Sequence, residues 1–333
     1  MKNRSTSSRR EISLLAKSYE WVRHFRMRLG KGAPDGGASA IAGNIDEYRM
    51  LVARHSALDF RACRILEIGY GARPLRMFYL LGMGYDATGI DLDRPVLRGS
   101  PAEFVQILRD NGVERLAKSI VRHFAFDVGE RRRFAQYLNG SGGGWNLDET
   151  RFHVGDASNS TEAAFGPRQF DVVFSEDVFE HIEETKLICL CRNMQSWLSP
   201  GGLGLIRLNP FTSIAGGHLV EWYSHEIGMS HPRRSDPWEH LRRRRYVPNT
   251  YLNELGWFRY REIFQEHFEI CQEYAREQAG ARAYLSPEVR AELSRYSEVE
   301  LLTGNIMFVL RRRQQAESES KGGTQTRAES STV

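Results

Sequence analysis

Two clusters in this 333-residue chain combine residue types and spacing suited to chemistry. The first is Glu67-Ile68-Gly69-Tyr70-Gly71, with Asp91 about 20 residues further on. Glycines that close a short apolar run let a ligand approach the backbone. An acid at the tip of the next parallel strand is placed to accept hydrogen bonds from a ribose diol. The second cluster is Asp177-Val178-Phe179-Glu180-His181, with further histidines at His218, His231 and His240. Positions three and four apart share a helix face. Carboxylates and imidazoles so placed can take a proton from a hydroxyl, or hold a divalent cation that makes the hydroxyl more acidic.

The glycine turn alone serves either a dinucleotide or an adenosyl cofactor. A dinucleotide needs a third glycine three residues on, so that pyrophosphate can sit on the helix N-terminus, and that position is Pro74. Glu67 would also sit badly beside a pyrophosphate, whereas an acid there can act through the turn on an ammonium group.

At these residues the chain resembles the class I S-adenosylmethionine-dependent methyltransferases. Leu66 to Gly71 matches their first motif and Asp91 their ribose-binding acid. Ser175-Glu176-Asp177-Val178-Phe179-Glu180-His181 after an apolar run, and Leu198-Ser199-Pro200-Gly201-Gly202, are two further matches. The chain departs from the pattern at Arg73, where a third glycine is usual. The resemblance covers roughly residues 48–311. It implies an α/β, Rossmann-like seven-stranded sheet, six strands parallel and the last antiparallel, with a helical insertion after the second strand. It implies S-adenosyl-L-methionine as cofactor, bound by Glu67, Gly69, Tyr70, Gly71, Asp91, Leu92, Asp156, Ala157 and Glu176. Asp156 then meets the adenine amino group, although an Asp opening a helix as its cap explains the same residue.

For the transfer step, His218 and His181 are the catalytic candidates. His218 has the better position for a base, with a rate profile titrating in the histidine range. The alternative is a metal, Mg2+, on Asp177, Glu180 and His181. That spacing resembles the cation cluster of ubiquinone-pathway O-methyltransferases and small-RNA terminal ribose methyltransferases. Asp177 in place of glutamate shortens the reach, so the metal-free reading is preferred.

The acceptor is read from a fainter resemblance. The segments Gly216-Gly217-His218-Leu219, Pro237-Trp238-Glu239-His240-Leu241-Arg242 and Tyr251-Leu252-Asn253 look like bacterial methyltransferases that occur with surface-glycan biosynthesis, as does Asn111-Gly112 with Arg115 and Lys118. This implies O-methylation of a sugar or other small hydroxylated acceptor, with Trp222, Tyr223 and Trp238 as stacking platforms or as plain core. Two other classes stay open: an RNA methyltransferase, and a non-catalytic cofactor-fold interaction protein.

The elements that must position these residues follow the hydrophobic pattern. Strands are expected at 64–68, 87–90, 151–154, 170–174, 203–208, 268–274 and 305–310, with helices at 11–29, 45–57, 75–81, 158–164, 183–198 and 251–268. Residues 1–43 read as an N-terminal helix and Gly/Ala linker behind a disordered 1–10. The domain follows at 44–313, with an insertion at 95–148, a substrate-side loop region at 209–250, and a disordered tail at 314–333. Within the insertion, helices are expected at 102–108, 113–124 and 130–138, before a flexible glycine joint at 139–144. The insertion can arch over the acceptor or serve as a homo-oligomer contact.

With 41% hydrophobic residues the chain can bury a large core. It has no apolar run of the roughly 18 residues a membrane span needs, and its polar N-terminus is no secretory signal. Cys63, Cys189, Cys191 and Cys271 have no metal-ligand spacing, which suits a reducing cytoplasm. The net charge of +4 comes with arginine runs at 131–133, 242–245 and 311–313. Nearby acids such as Glu130 and Glu239 balance them, and basic and aromatic residues do not interleave, so nucleic acid is set aside as partner in favour of a small-molecule or glycan acceptor.

Overall fold

A computed structural model describes residues 33–159, 165, 169–231, 234–248 and 250–313. The segments 1–10, 11–29 and 314–333, and most of the helix expected over 158–164, lie outside the described residues.

The strands are β1 (Arg64–Ile68), β2 (Asp86–Asp91), β3 (Phe152–Val154), β4 (Phe170–Glu176), β5 (Leu198–Leu208), β6 (Phe268–Glu277) and β7 (Thr303–Arg312). They form one seven-stranded sheet in the order β3-β2-β1-β4-β5-β7-β6. β7 runs antiparallel to both its neighbours, and the other pairings are parallel, as expected. The central strands are largely apolar because the sheet is covered on both faces. In β1 the period of two sends Leu66 and Ile68 to one face and Ile65 to the other. The first face packs on α5 (Glu184–Trp197) and α7 (Trp257–His267) through Leu190, Met194 and Phe264. The second packs on α1 (Ala38–His55) and α2 (Leu75–Gly82) through Tyr48, Val52, Met77 and Leu80.

The order of strands reverses at β1, which lies between β2 and β4. A crevice forms outside the carboxyl ends of strands at such a switch point. Those ends carry Gly69, Asp91 and Glu176-Asp177, so both chemical clusters converge there.

Three expectations are corrected. α1 begins at Ala38, inside the presumed linker, because the Asp35 carboxylate accepts from the N–H groups of Gly37 and Ser39 at 2.9 and 2.8 Å and opens the helix early. Within the insertion the three expected helices are present, the second and third joined through a π turn. α3 (Pro101–Arg122) is interrupted at Gly112, whose φ of 81° and ψ of 177° are not helical, and its second part passes through a π turn at His123–Asp127 into α4 (Val128–Gly140). The glycine joint is fixed: Gly144 N–H donates to Gly82 C=O at 2.9 Å and Gly143 N–H to Leu138 C=O at 2.9 Å. A Cβ on Gly82 would stand 2.6 Å from Gly144 O, so only glycine permits this approach. Finally, α7 starts at Trp257. Residues 251–256 stay out of the helix because Asn253 is committed elsewhere, its N–H to Glu180 O at 3.0 Å and its amide to Phe179 O and Ile182 O at 2.9 Å.

The insertion is tied to the cleft rim. Arg94 pairs with Asp110 at 2.6 Å, Asn111 donates to Leu92 O at 3.2 Å, and Arg115 pairs with Asp93. Arg73, the residue that breaks the glycine pattern, reaches Asp127 at 3.4 Å and pairs with Glu130. Its charge therefore anchors the insertion.

Candidate functional site

The crevice is a cavity of about 570 Å³ lined by Gly69, Tyr70, Gly71, Arg76, Asp91, Leu92, Asp156, Ala157, Glu176, Asp177 and His181, among others. Gly69 holds φ at 80°, and a Cβ there would collide with the side chain of Val178. The turn thus needs glycine for both conformation and space. Asp91 closes it from the next strand: one carboxylate oxygen accepts Gly71 N–H and the other Asp93 N–H, both at 2.7 Å. Burial pushes the Asp91 carboxyl up, and those two donors partly offset it.

Tyr70 is buried, its hydroxyl donating to His153 O at 2.9 Å and its ring edge-on to Phe152. Leu92 is 64% exposed at the rim. Asp156 accepts from the backbone N–H and hydroxyl of Ser158 at 2.9 and 2.6 Å, a capping turn, while still lining the cleft. Against the opposing effect of burial, the Ser158 and Lys186 contacts hold its carboxyl below the usual range.

Glu67 is fully buried and does not line the cleft. Arg76 pairs with Glu67 at 2.8 Å and with Glu176 at 3.0 Å, and it does line the cavity. Glu176 also accepts from Tyr48 and from Arg207 at 3.0 Å. Burial pushes the Glu67 carboxyl up to about 7, against the pull of Arg76. This buried network was the least legible part of the site. Its one sequence signal is Arg76 itself, a lone cation among the apolar residues of Leu75–Leu81.

The second cluster stands at the other end of the cleft. His181 directs Nδ1–H to Tyr251 O at 2.9 Å, which leaves Nε2 with a free lone pair. The His218 ring meets it edge to face, centroids 4.9 Å apart. His218 sits at φ 52° in a turn whose Gly217 lies directly on the His240 ring: a Cβ there would stand 2.5 Å from His240 Cγ. Burial, then the neighbouring His181, pushes the His218 imidazole down to about 4, well below the ordinary histidine range expected from sequence. Glu180 is buried and accepts from Asn209 Nδ2 at 3.0 Å, with its second oxygen unpartnered. Burial, then Asp177, pushes its carboxyl up to about 8.

Donor atoms of Glu180, His181 and His218 all lie within 4.8 Å of one another. Asp177 is not among them. At φ 56° it accepts from Asn209 Nδ2 at 2.9 Å and faces the cleft, so the expected Asp177-Glu180-His181 set is replaced by one completed by His218. Two imidazoles and one carboxylate do not suit Mg2+, which prefers an all-oxygen shell; they fit a borderline cation such as Fe2+ or Zn2+.

Beside this cluster lies a second cavity of about 300 Å³, walled by Phe211, Leu219, Tyr246, Val247, Tyr251 and Leu252. Thr250 lines both cavities. Arg244 and Glu254, paired at 2.7 Å, line it too, and both hold positive φ. With Asp177, His218 and Trp238 they are the non-glycine residues at positive φ among those described, and backbone strain of this kind clusters at functional sites.

The remaining candidates lie elsewhere. Trp222 and Trp238 are buried, their indole N–H groups donating to Ser235 Oγ at 2.8 Å and Leu301 O at 3.3 Å, so they are core and not platforms. His231 is buried. His240 donates to Phe211 O at 2.8 Å beneath the His218 turn. Most arginines of the runs are engaged: Arg242 and Arg243 with Glu292, Arg245 with Asp236, Arg311 with Glu269. The four cysteines are free, and no helix among the described residues is long and apolar enough to cross a membrane.

No protein-family model and no curated protein matches the chain. Among solved structures it is similar to an S-adenosylmethionine-dependent methyltransferase from Clostridium acetobutylicum (12% identity, 89% of this chain and 99% of that one, TM-score 0.43). It is similar also to a TehB-like methyltransferase from Corynebacterium glutamicum (14%, 90% and 100%, TM-score 0.38). A third is phosphoethanolamine N-methyltransferase 2 of Haemonchus contortus, in complex with S-adenosyl-L-methionine (16%, 80% and 53%, TM-score 0.39). Likenesses this distant carry no argument about activity, which rests on the chain's own residues.

Proposed function

We propose that the protein is an S-adenosylmethionine-dependent O-methyltransferase acting on a sugar or other small hydroxylated acceptor. The observation that carries this reading is the position of the Glu180-His181-His218 cluster, between a cleft built on Gly69, Gly71 and Asp91 and a second cavity walled by aromatics. In the cleft, Asp91 takes the ribose diol, Leu92 and Ala157 flank the adenine beside Asp156, and Arg76 faces the amino-acid end. In the second cavity, Tyr246, Tyr251 and Phe211 offer faces to a ring, and Arg244 and Glu254 offer polar partners to its hydroxyls.

Methyl transfer from a sulfonium is an in-line displacement, so the protein aligns the acceptor oxygen and removes its proton. His218, neutral at pH 7, takes that proton. The 4.8 Å convergence of donor atoms favours a second reading, in which Glu180, His181 and His218 hold a borderline cation that supplies Lewis acidity to the acceptor hydroxyl.

The test is transfer of a labelled methyl group to a panel of methyl glycosides and simple phenols, with and without excess chelator. Full activity in chelator eliminates the cation. No transfer to any hydroxylated acceptor, with the cofactor bound, defeats the O-methyltransferase reading in favour of an interaction protein.

A further inference from the structure

The insertion carries a groove of its own, about 650 Å³, that shares no lining residue with either cavity of the proposed active site. Its walls are Leu97, Val128, Ala135 and Leu147, and its polar lining is Arg98, His123, Arg131 and Arg132, with Trp145. No acid lines it.

The positive charge there is poorly compensated. Arg131 donates to Leu97 O at 2.6 Å and to Val96 O, and its guanidinium lies 5.1 Å from the centre of the Phe78 ring. These groups are neutral, and among the described residues no carboxylate pairs with it. The two acids whose charge reaches Arg131 are spent elsewhere: Asp127 on Arg73 and Arg122, Glu103 on the backbone N–H groups of Leu97 and Ser100, just before α3. Arg132 is exposed and has no partner among the described residues. Arg98 pairs with Glu149, but both are largely exposed, where such a pair contributes little.

A second observation is independent of the arginines. His123 is only 6% exposed, yet its Nδ1 has no hydrogen-bond partner, and a buried ring nitrogen left unpaired is costly. Trp145 is 38% exposed while its ring packs against Phe78 at 5.0 Å, so part of an indole face stays open at the groove.

We propose that this groove is a ligand site for a nucleoside phosphate, with Arg98, Arg131 and Arg132 around the phosphoryl oxygens and Trp145 against the base. Guanidinium groups match phosphate oxygens in geometry as well as charge, and an aromatic face accepts any base by stacking. The size fits: ligand cavities run from about 300 to 1,000 Å³. The site is independent of the reading given for the cleft, and nothing in it requires methyl transfer.

The test is calorimetric titration of the full chain with uridine 5′-diphosphate, uridine and inorganic phosphate. A pyrimidine probe avoids an adenosyl-type cleft. Uridine 5′-diphosphate is expected to saturate, with uridine at least about tenfold weaker because it lacks the charge-assisted bonds. Arg132→Ala, at an exposed position that spares the fold, should weaken the diphosphate by about tenfold, and Trp145→Ala should weaken it without changing inorganic phosphate. Asp91→Ala should leave all three titrations unchanged. The proposal is overturned by no saturation at millimolar diphosphate, by inorganic phosphate binding as tightly as the nucleotide, by indifference to Arg132→Ala, or by loss of binding in Asp91→Ala.

Discussion

The rings of His181 and His218 stand edge to face, 4.9 Å between centroids, although they leave the sheet after different strands. His181 is oriented by Tyr251 O, and His218 is kept neutral by burial and by that neighbour. His218→Ala should lower the transfer rate by about 10²–10⁴-fold with cofactor affinity intact. Because the imidazole is pushed down to about 4, the acid limb of the rate profile should fall near pH 4. A limb in the ordinary histidine range, lost in His218→Ala, would contradict that placement.

Cation binding should be linked to protons through Glu180. Its carboxyl is pushed up to about 8, so without a cation it is largely protonated at neutral pH, and binding must release that proton. Affinity for Fe2+ or Zn2+ should therefore rise with pH up to about 8 and level off above it, with Mg2+ weaker throughout. Calorimetry in buffers of differing ionisation heat reads the released proton directly. A pH-independent affinity, or a preference for Mg2+, would count against this cluster as the site.

Asp91→Ala should weaken S-adenosylhomocysteine by about 1.5–3 kcal/mol, the scale of hydrogen bonds to a charged group. The variant also frees Gly71 N–H, which Asp91 holds at 2.7 Å, so the turn loses its support from the neighbouring strand. Unchanged affinity by calorimetry would remove Asp91 from the cofactor site.

Arg76→Ala leaves Glu67 and Glu176 buried beside each other with their shared cation gone. Removing one partner of a buried ion pair costs about 3–5 kcal/mol. Denaturant unfolding should show a loss of that order, partly restored in Arg76→Lys. A loss below about 1 kcal/mol would mean that Tyr48 and Arg207 suffice to hold the acids.

His240 and His218 should lower stability as the solution is acidified from about pH 6.5 to 4, while Glu67 and Glu180, pushed up to about 7 and 8, act in the opposite direction. Burial pushes His240 down to about 4, as it does His218, so the unfolded chain binds protons in that window that the native state does not. The contribution is fully present above the unfolded value and is lost as pH falls toward the folded one. The slope of unfolding free energy against pH should become less positive there in His240→Gln. An unaltered slope would show that other groups set the acid limit.

Much of the fold follows from the sequence alone. Buried parallel strands are mostly apolar, so 64–68 and 170–174 stand out, and the glycines after the first and the acid at Asp91 mark a ligand-binding edge without reference to any neighbour. The seven strands and the single antiparallel one are implied by resemblance at those motifs. What the sequence could not supply are relations between distant residues. On paper Asp177 is a candidate cation ligand and His218 the favoured base; in the folded chain, with φ 56° at one and 52° at the other, Asp177 turns to Asn209 and His218 to His181. Trp238 reads as a sugar platform until burial against Leu301 makes it core. Glu67 reads as a ligand residue until Arg76 stands between it and the cleft. A one-dimensional pattern records which side chains are apolar and how often they recur. Which polar groups lose water together, and so must satisfy one another, is decided only when the strands and loops close.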